Sequence, residues 1–268
     1  MKKILSILAV LLVCFVVLAN GGQETVENNV VKVGATPEPH AEMLKLVVDN
    51  MAEAGYALEI IEFTDYVTPN QALEDGDIDA NFFQHAPYME SFNSEHGFHL
   101  VSAGGIHIEP LALYSKVVSS YNDFKEGATI AIPNDPTNEG RALLLLQSSG
   151  LITLKDKNNL ESIPMDIIEN PKNLKFTEIE AATLPRILEE VDGAVINGNY
   201  AIPAGLIATR DGLLVEGADS PYVNIVTVKE GHENDPGIKA LISSLQSEEI
   251  KQWVADTYKN GEVVLTFN

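Results

Sequence analysis

Short apolar runs of β character alternate along the chain with segments whose apolar residues recur at helical spacing. Residues 30–35 read as a strand, Thr36-Pro37-Glu38-Pro39 breaks it, and residues 41–54 place Met43, Leu44, Val47, Val48 and Met51 on one helical face. Gly55 closes that helix and residues 58–63 form a second strand, giving an opening β-α-β unit. A short helix at 69–73, a strand at 77–82, a helix at 86–94 and β-rich stretches at 99–108 and 110–114 follow.

The pattern restarts after Ser115. Residues 129–132 form a strand, Asn134-Asp135-Pro136-Thr137 a turn, and residues 139–149 a helix that contains the apolar run from Ala142 to Leu146. Residues 155–172 are polar and turn-rich. A strand at 175–179, a helix near 184–190 and a strand at 194–196 complete a second α/β unit. Residues 223–228 form one more strand, and helices at 236–245 and 248–258 close the chain, the last with Ser247 as its cap. Periodicity supports an α/β protein with two units and does not reach further.

The first residues change the picture, because they set the compartment. Met1-Lys2-Lys3 is a short positive segment, residues 4–19 are almost wholly apolar, and Asn20-Gly21-Gly22-Gln23 turns polar, which together read as a signal peptide over residues 1–19 followed by a flexible linker over 20–29. Three fates are open: cleavage after Ala19 to a soluble protein, lipid attachment, and retention as an uncleaved anchor. Cys14, the only cysteine, is poorly placed for lipidation. Val13 before it is not small, and Phe15 to Leu18 would remain as an apolar tail.

Composition narrows the classes further. A mature region without cysteine has no disulfide to hold it together. The formal net charge of -22 becomes -24 once Lys2 and Lys3 are removed with the signal, and such a surface repels nucleic acid and anionic lipid. No dinucleotide fingerprint, phosphate-binding loop or nucleophile elbow is present, so no cofactor and no enzymatic activity are expected. His96 and His99, the only close histidine pair, lack a carboxylate cluster nearby, and no metal site is expected.

Polar residues set in apolar or aromatic sequence carry the remaining information. Phe82-Phe83-Gln84-His85-Ala86-Pro87-Tyr88 sits where a strand passes into a helix, the usual ligand position in open α/β sheets, although His85 could equally cap local backbone. Arg141 stands in the first turn after Asp135-Pro136-Thr137-Asn138-Glu139-Gly140, where a bound carboxylate could receive a bidentate guanidinium and free backbone N–H groups; the alternative is a surface ion pair. Asn197 and Asn199 flank Gly198 at the end of an apolar strand, as ligand contacts or as turn formers. Asn224 lies in a β-rich apolar run, where an amide costs stability unless it is hydrogen-bonded.

These stretches, in order and spacing, resemble the methionine-binding lipoprotein family of bacterial methionine ABC importers across essentially all of the mature region. The resemblance rests on Val33-Gly34-Ala35-Thr36-Pro37 with His40-Ala41-Glu42, Asp65-Tyr66-Val67 with Pro69-Asn70, and Asp77-Ile78-Asp79-Ala80-Asn81-Phe82-Phe83-Gln84-His85. It continues through Ala131-Ile132-Pro133-Asn134-Asp135-Pro136, Gly140-Arg141-Ala142-Leu143, Ala194-Val195-Ile196-Asn197 and Asp219-Ser220-Pro221-Tyr222-Val223-Asn224.

The resemblance implies a bilobal type II periplasmic-binding-protein fold, two α/β domains joined by crossover strands. Lobe I is expected over residues 30–114 plus 225–268 and lobe II over 115–224, with crossovers near 115–119 and 212–224. It implies that Arg141 pairs with a ligand carboxylate and that Asn197 and Asn224, with Asn138 and Asn199 as further candidates, fix the polar groups. Tyr66, Phe83, His85 and Tyr88 would line the cleft around an apolar thioether. The implied protein is an exported, periplasmic or cell-surface monomer that hands methionine of either hand to an ABC importer permease. A methionine-containing dipeptide, another small apolar amino acid, or a surface adhesin or antigen role are the alternatives. The family's lipid-attachment cysteine is absent where it would be expected.

Overall fold

The computed structural model describes residues 29–217 and 220–267. The signal peptide, all but the last residue of the linker, Cys14 and Asp219 lie outside the described residues.

The first α/β unit opens with β1 (Val30–Ala35), α1 (Glu42–Leu46), α2 (Val48–Glu53) and β2 (Ala57–Glu62). The single amphipathic helix read from the sequence is two short ones, meeting at Val47. Next come α3 (Thr68–Asp75), β3 (Ala80–His85), α4 (Ala86–His96) and β4 (Leu100–Ile108). β3 lies three residues later than expected, and its six residues are all buried. Its polar members survive there because they bond one another. Gln84 Nε2 donates to Asn70 Oδ1 (2.7 Å) and Thr227 Oγ1 (3.2 Å), and Asn81 Nδ2 donates to the same Asn70 oxygen (2.9 Å).

The second unit contains β5 (Ala112–Tyr114), β6 (Thr129–Pro133), α5 (Pro136–Ser148), the small β7–β8 pair (Thr153–Leu154 and Ile167–Glu169), β9 (Lys175–Ile179) and α6 (Leu184–Ile187). It ends with β10 (Gly193–Ile196), α7 (Gly198–Ala201), α8 (Ala208–Asp211) and β11 (Leu214–Val215). The chain then returns through β12 (Asn224–Lys229), α9 (Pro236–Leu245), α10 (Glu248–Thr257) and β13 (Val264–Leu265). Ser247 caps α10 by accepting from the Ile250 N–H.

Two sheets result. The first has the order β13-β4-β12-β3-β1-β2, with β1 parallel to its neighbours β2 and β3 and β12 antiparallel to β3 and β4. The second has the order β11-β5-β10-β6-β9, parallel at β10-β6-β9 and antiparallel at β5. Each sheet has its own core. Val33, Met43, Leu44, Phe82, Ile106 and Val226 pack with Leu241 and Ile250 of the closing helices in the first lobe. Leu113, Ile130, Ile132, Leu143, Leu146 and Val195 pack in the second.

The lobe boundaries differ from those expected. β5 pairs with β10 and β11, and Leu111 is buried in the second core, so the outward crossing falls at Glu109-Pro110 rather than near 115–119. Residues 112–114 therefore belong to lobe II. Asn224 pairs with His85 and His107, which puts it in lobe I's sheet. A β-rich run does not announce which sheet it will join, because pairing depends on strands distant in sequence.

Candidate functional site

The site forms where both sheets present strand ends to the gap between the lobes. On lobe I, β3 ends at His85, whose Nδ1 accepts from the Tyr88 N–H (3.1 Å) and so caps α4. That accepting role makes Nε2 the protonated nitrogen, and Nε2 donates across the cleft to Asn138 Oδ1 (3.2 Å). The two readings of His85, cap and cleft residue, therefore both hold. Burial, with Arg141 nearby, lowers its pKa to about 3, so the ring is neutral at ordinary pH.

On lobe II, α5 begins with a local arrangement that the sequence writes plainly. Asp135 accepts from the Asn138 backbone N–H (3.0 Å) and from Asn138 Nδ2 (2.9 Å), and Pro136 occupies the first helical turn. This locks the Asn138 amide so that its oxygen also receives Asn197 Nδ2 (2.8 Å). Two turns are brought together by that bond. Gly140 is required behind it: a Cβ there would lie 2.1 Å from the Leu160 carbonyl oxygen.

Arg141, 4 % exposed, projects from the same helix. Its Nε donates to Glu216 Oε1 (2.9 Å), its Nη2 donates to Glu216 Oε2 and to the Glu109 carbonyl (2.9 Å), and its guanidinium lies 4.3 Å from the centre of the Tyr222 ring. Nη1 makes no hydrogen bond among the described residues. The fork is thus held on one edge by Glu216 and on one face by Tyr222, which fixes where its remaining edge points.

One cavity gathers these elements. All nine expected site residues, Tyr66, Phe83, His85, Tyr88, Asn138, Arg141, Asn197, Asn199 and Asn224, line it. Tyr66 and Phe83 rings stand 5.9 Å apart and Tyr66 and Tyr88 rings also 5.9 Å apart, forming an aromatic wall. Gln84, Glu109 and Gly198 line it as well and were not foreseen. Glu109 had a readable signal, a lone carboxylate in Ile106-His107-Ile108-Glu109-Pro110-Leu111, the same anomaly that marked Asn224.

The lobes are closed on one another. Tyr66 Oη donates to Asn199 Oδ1 (2.6 Å) and Tyr200 Oη to the Thr64 carbonyl (3.1 Å), both across the gap. His40 Nε2 also meets Asn224 Oδ1 (3.0 Å) and Glu109 Oε1 (3.3 Å), so one lobe I side chain touches the outward crossing and the first residue of the returning strand β12.

Two α/β lobes joined by two crossings, closed over a cavity that an aromatic wall and a held guanidinium both line, define a solute-binding protein of the bilobal periplasmic-binding class. The chain belongs to the NlpA lipoprotein family, whose pattern matches residues 31–267. It is 46% identical over 238 residues to the membrane lipoprotein TpN32 of Treponema pallidum, covering 89% of each chain. It is 43% identical over 250 residues to the D-methionine-binding lipoprotein MetQ of Salmonella typhi, covering 92% of each. Among solved structures, a nutrient binding protein from Burkholderia cenocepacia bound to methionine superposes with a TM-score of 0.86 at 44% identity, over 88% of this chain and all of that one.

Proposed function

We propose that this protein is exported, captures methionine between its lobes outside the cytoplasm, and delivers it as a monomer to the permease of an ABC importer, without chemical turnover. The observation that carries the reading is the mixed lining of one cavity: a guanidinium whose Nη1 makes no hydrogen bond among the described residues, together with the Tyr66-Phe83-Tyr88 wall. Arg141 receives the carboxylate through Nη1, where a charge-assisted bond in a dry site is strong. Asn138, Asn197, Asn199 and Asn224 satisfy the remaining polar atoms, and the aromatic wall with the neutral His85 ring holds the thioether, whose soft sulfur gains from ring contacts. The Salmonella relative's name and the Burkholderia complex, both methionine-linked, support the same ligand.

Ligand stabilises the closed arrangement by bridging the lobes, and the closed form is what the permease recognises. Calorimetric titration of ligand-stripped protein with L-methionine, D-methionine, glycyl-methionine and leucine tests this. Binding of a methionine enantiomer in preference to leucine is expected; no heat and no thermal shift with either enantiomer overturns the reading.

A further inference from the structure

The carboxylate of Glu109 is 4 % exposed, lines the cavity and has no role in the assignments above. Its surroundings hold it in place, and burial pushes its pKa up against the opposing pull of His40 and Arg141, so a bound cation would relieve it. His107 Nε2 lies 2.8 Å and His40 Nε2 3.3 Å from its Oε1. Both contacts of His40 Nε2, Glu109 and Asn224 Oδ1, are acceptors, so Nε2 carries the proton, while Thr36 Oγ1 donates to His40 Nδ1 (2.8 Å). His107 likewise donates from Nε2, its Nδ1 having no hydrogen-bond partner among the described residues. One neutral imidazole, His107, therefore donates to Oε1, while the His40 N–H bonds Asn224 Oδ1 and packs beside the same carboxylate oxygen.

Gly198 fits this arrangement. A Cβ on it would lie 2.6 Å from Glu109 Cβ and 2.9 Å from Oε2, so the glycine is what lets the carboxylate approach the turn between Asn197 and Asn199. Asn197, on that turn, has its buried Oδ1 without a partner, a second acceptor on the same cavity. Charge points the same way. Arg141 is paired with Glu216, which leaves the buried Glu109 carboxyl without a lysine or arginine ion-pair partner among the described residues. A buried carboxylate beside an unpartnered amide oxygen is an acceptor pair, and what such a pair recognises is a cationic N–H donor.

We propose that Glu109 and Asn197 Oδ1 form an ammonium subsite, with His40 and His107 as positioning residues that hold the Glu109 carboxylate. Resting on the amino-acid-binding reading above, this makes the cavity selective for a primary α-ammonium in addition to a carboxylate. It explains why the charge lies at the crossover: Glu109 sits at the outward crossing, so the ligand's ammonium is held by the segment that joins the lobes while its carboxylate is held by lobe II.

The test compares L-methionine with its desamino analogue, 4-(methylthio)butanoic acid, and with N-acetyl-L-methionine, on wild type and on Glu109→Gln, by calorimetry with thermal unfolding as the folding control. Wild type is expected to prefer methionine over both analogues. Glu109→Gln is expected to lose about 10–100-fold in methionine affinity, the loss of a charge-assisted bond, while its affinity for the desamino analogue stays within about 3-fold, so that discrimination collapses. Gly198→Ala, which displaces the carboxylate by contact, is expected to lose the same discrimination and serves where Glu109→Gln fails to fold. Unchanged methionine affinity and unchanged discrimination in either folded variant overturn the subsite alone. A wild type that binds no methionine overturns both this subsite and the reading on which it rests.

Discussion

Lobe I and lobe II meet at one cavity and bring different chemistry to it. Lobe I contributes rings and neutral side chains: Tyr66, Phe83, His85, Tyr88 and Asn224. Lobe II contributes the guanidinium of Arg141 and three amides, Asn138, Asn197 and Asn199. Neither half alone can desolvate a zwitterion with an apolar tail, because the charged end needs partners before water leaves and the tail needs a wall to leave water for. A division of this kind makes binding depend on closure, which couples occupancy to the shape that a transporter can read.

The sharpest break in the comparison is Arg141→Ala. It removes the carboxylate partner and also strands Glu216 in a partly buried position, so methionine binding is expected to fall below detection in calorimetry, and urea unfolding to show a loss of about 3–5 kcal/mol. Arg141→Lys keeps a charge but not the fork, and is expected to recover stability better than affinity. If Arg141→Ala binds at wild-type strength, lobe II is not the polar half.

Acid should separate the lobes next. All six histidines, His40, His85, His96, His99, His107 and His232, lie on lobe I segments and none on lobe II. Burial lowers His40 from its ordinary 6.5 to about 4, and His85 and His107 to about 3. A folded pKa below the unfolded value means that the unfolded state binds more protons in between, so this contribution to stability is present above pH 6.5 and is lost as pH falls toward 4 and 3. Lobe II carries the opposite case: burial, with Glu178 and Asp135 adding to it, raises Glu139 to about 7, and protonation there relieves the folded state as pH falls from 7 toward 4.5. Hydrogen exchange, corrected for intrinsic rate, is expected to show lobe I losing protection relative to lobe II between pH 6.5 and 5. Equal loss in both lobes, or a larger loss in lobe II, counts against it.

Smaller effects test the lobe I wall and the seam. Phe83→Leu keeps an apolar side chain but removes the ring, and should weaken methionine by up to about 1.5 kcal/mol while affecting leucine less, because only the thioether gains from sulfur-aromatic contact. Tyr66→Phe deletes the interlobe bond to Asn199 and is expected to cost about 1 kcal/mol in affinity, with small-angle scattering showing a larger open fraction without ligand. Tyr200→Phe deletes the longer, more exposed bond to the Thr64 carbonyl and should change affinity by less than about 1 kcal/mol. A Tyr200→Phe effect larger than that of Tyr66→Phe would place the seam's main bond at the rim instead of at the cavity.

The site was legible wherever a polar residue interrupted an apolar run. Asn224 and the Phe82-to-Tyr88 stretch were found that way, and Arg141 through the Asp135-Pro136 helix start. Glu109 offers the same kind of signal in a weaker form, since a single acid between a strand and a proline also reads as an ordinary strand exit. Gly198 offered none. Its requirement comes from Glu109, 89 positions away in sequence, and no local pattern records such a contact.

By itself the sequence determined the α/β class, most elements, and the ordered motifs that the NlpA lipoprotein family shares, because local periodicity, caps and turn residues act within a few positions. β1, β9 and α9 fall where the pattern put them. Tertiary structure alone decided that the chain leaves lobe I at Glu109, that residues 112–114 join the second sheet, and that Arg141 carries Glu216 on one edge. Those outcomes depend on which distant strand supplies the hydrogen bonds and on which charges burial forces together, and both are settled only when the two cores close.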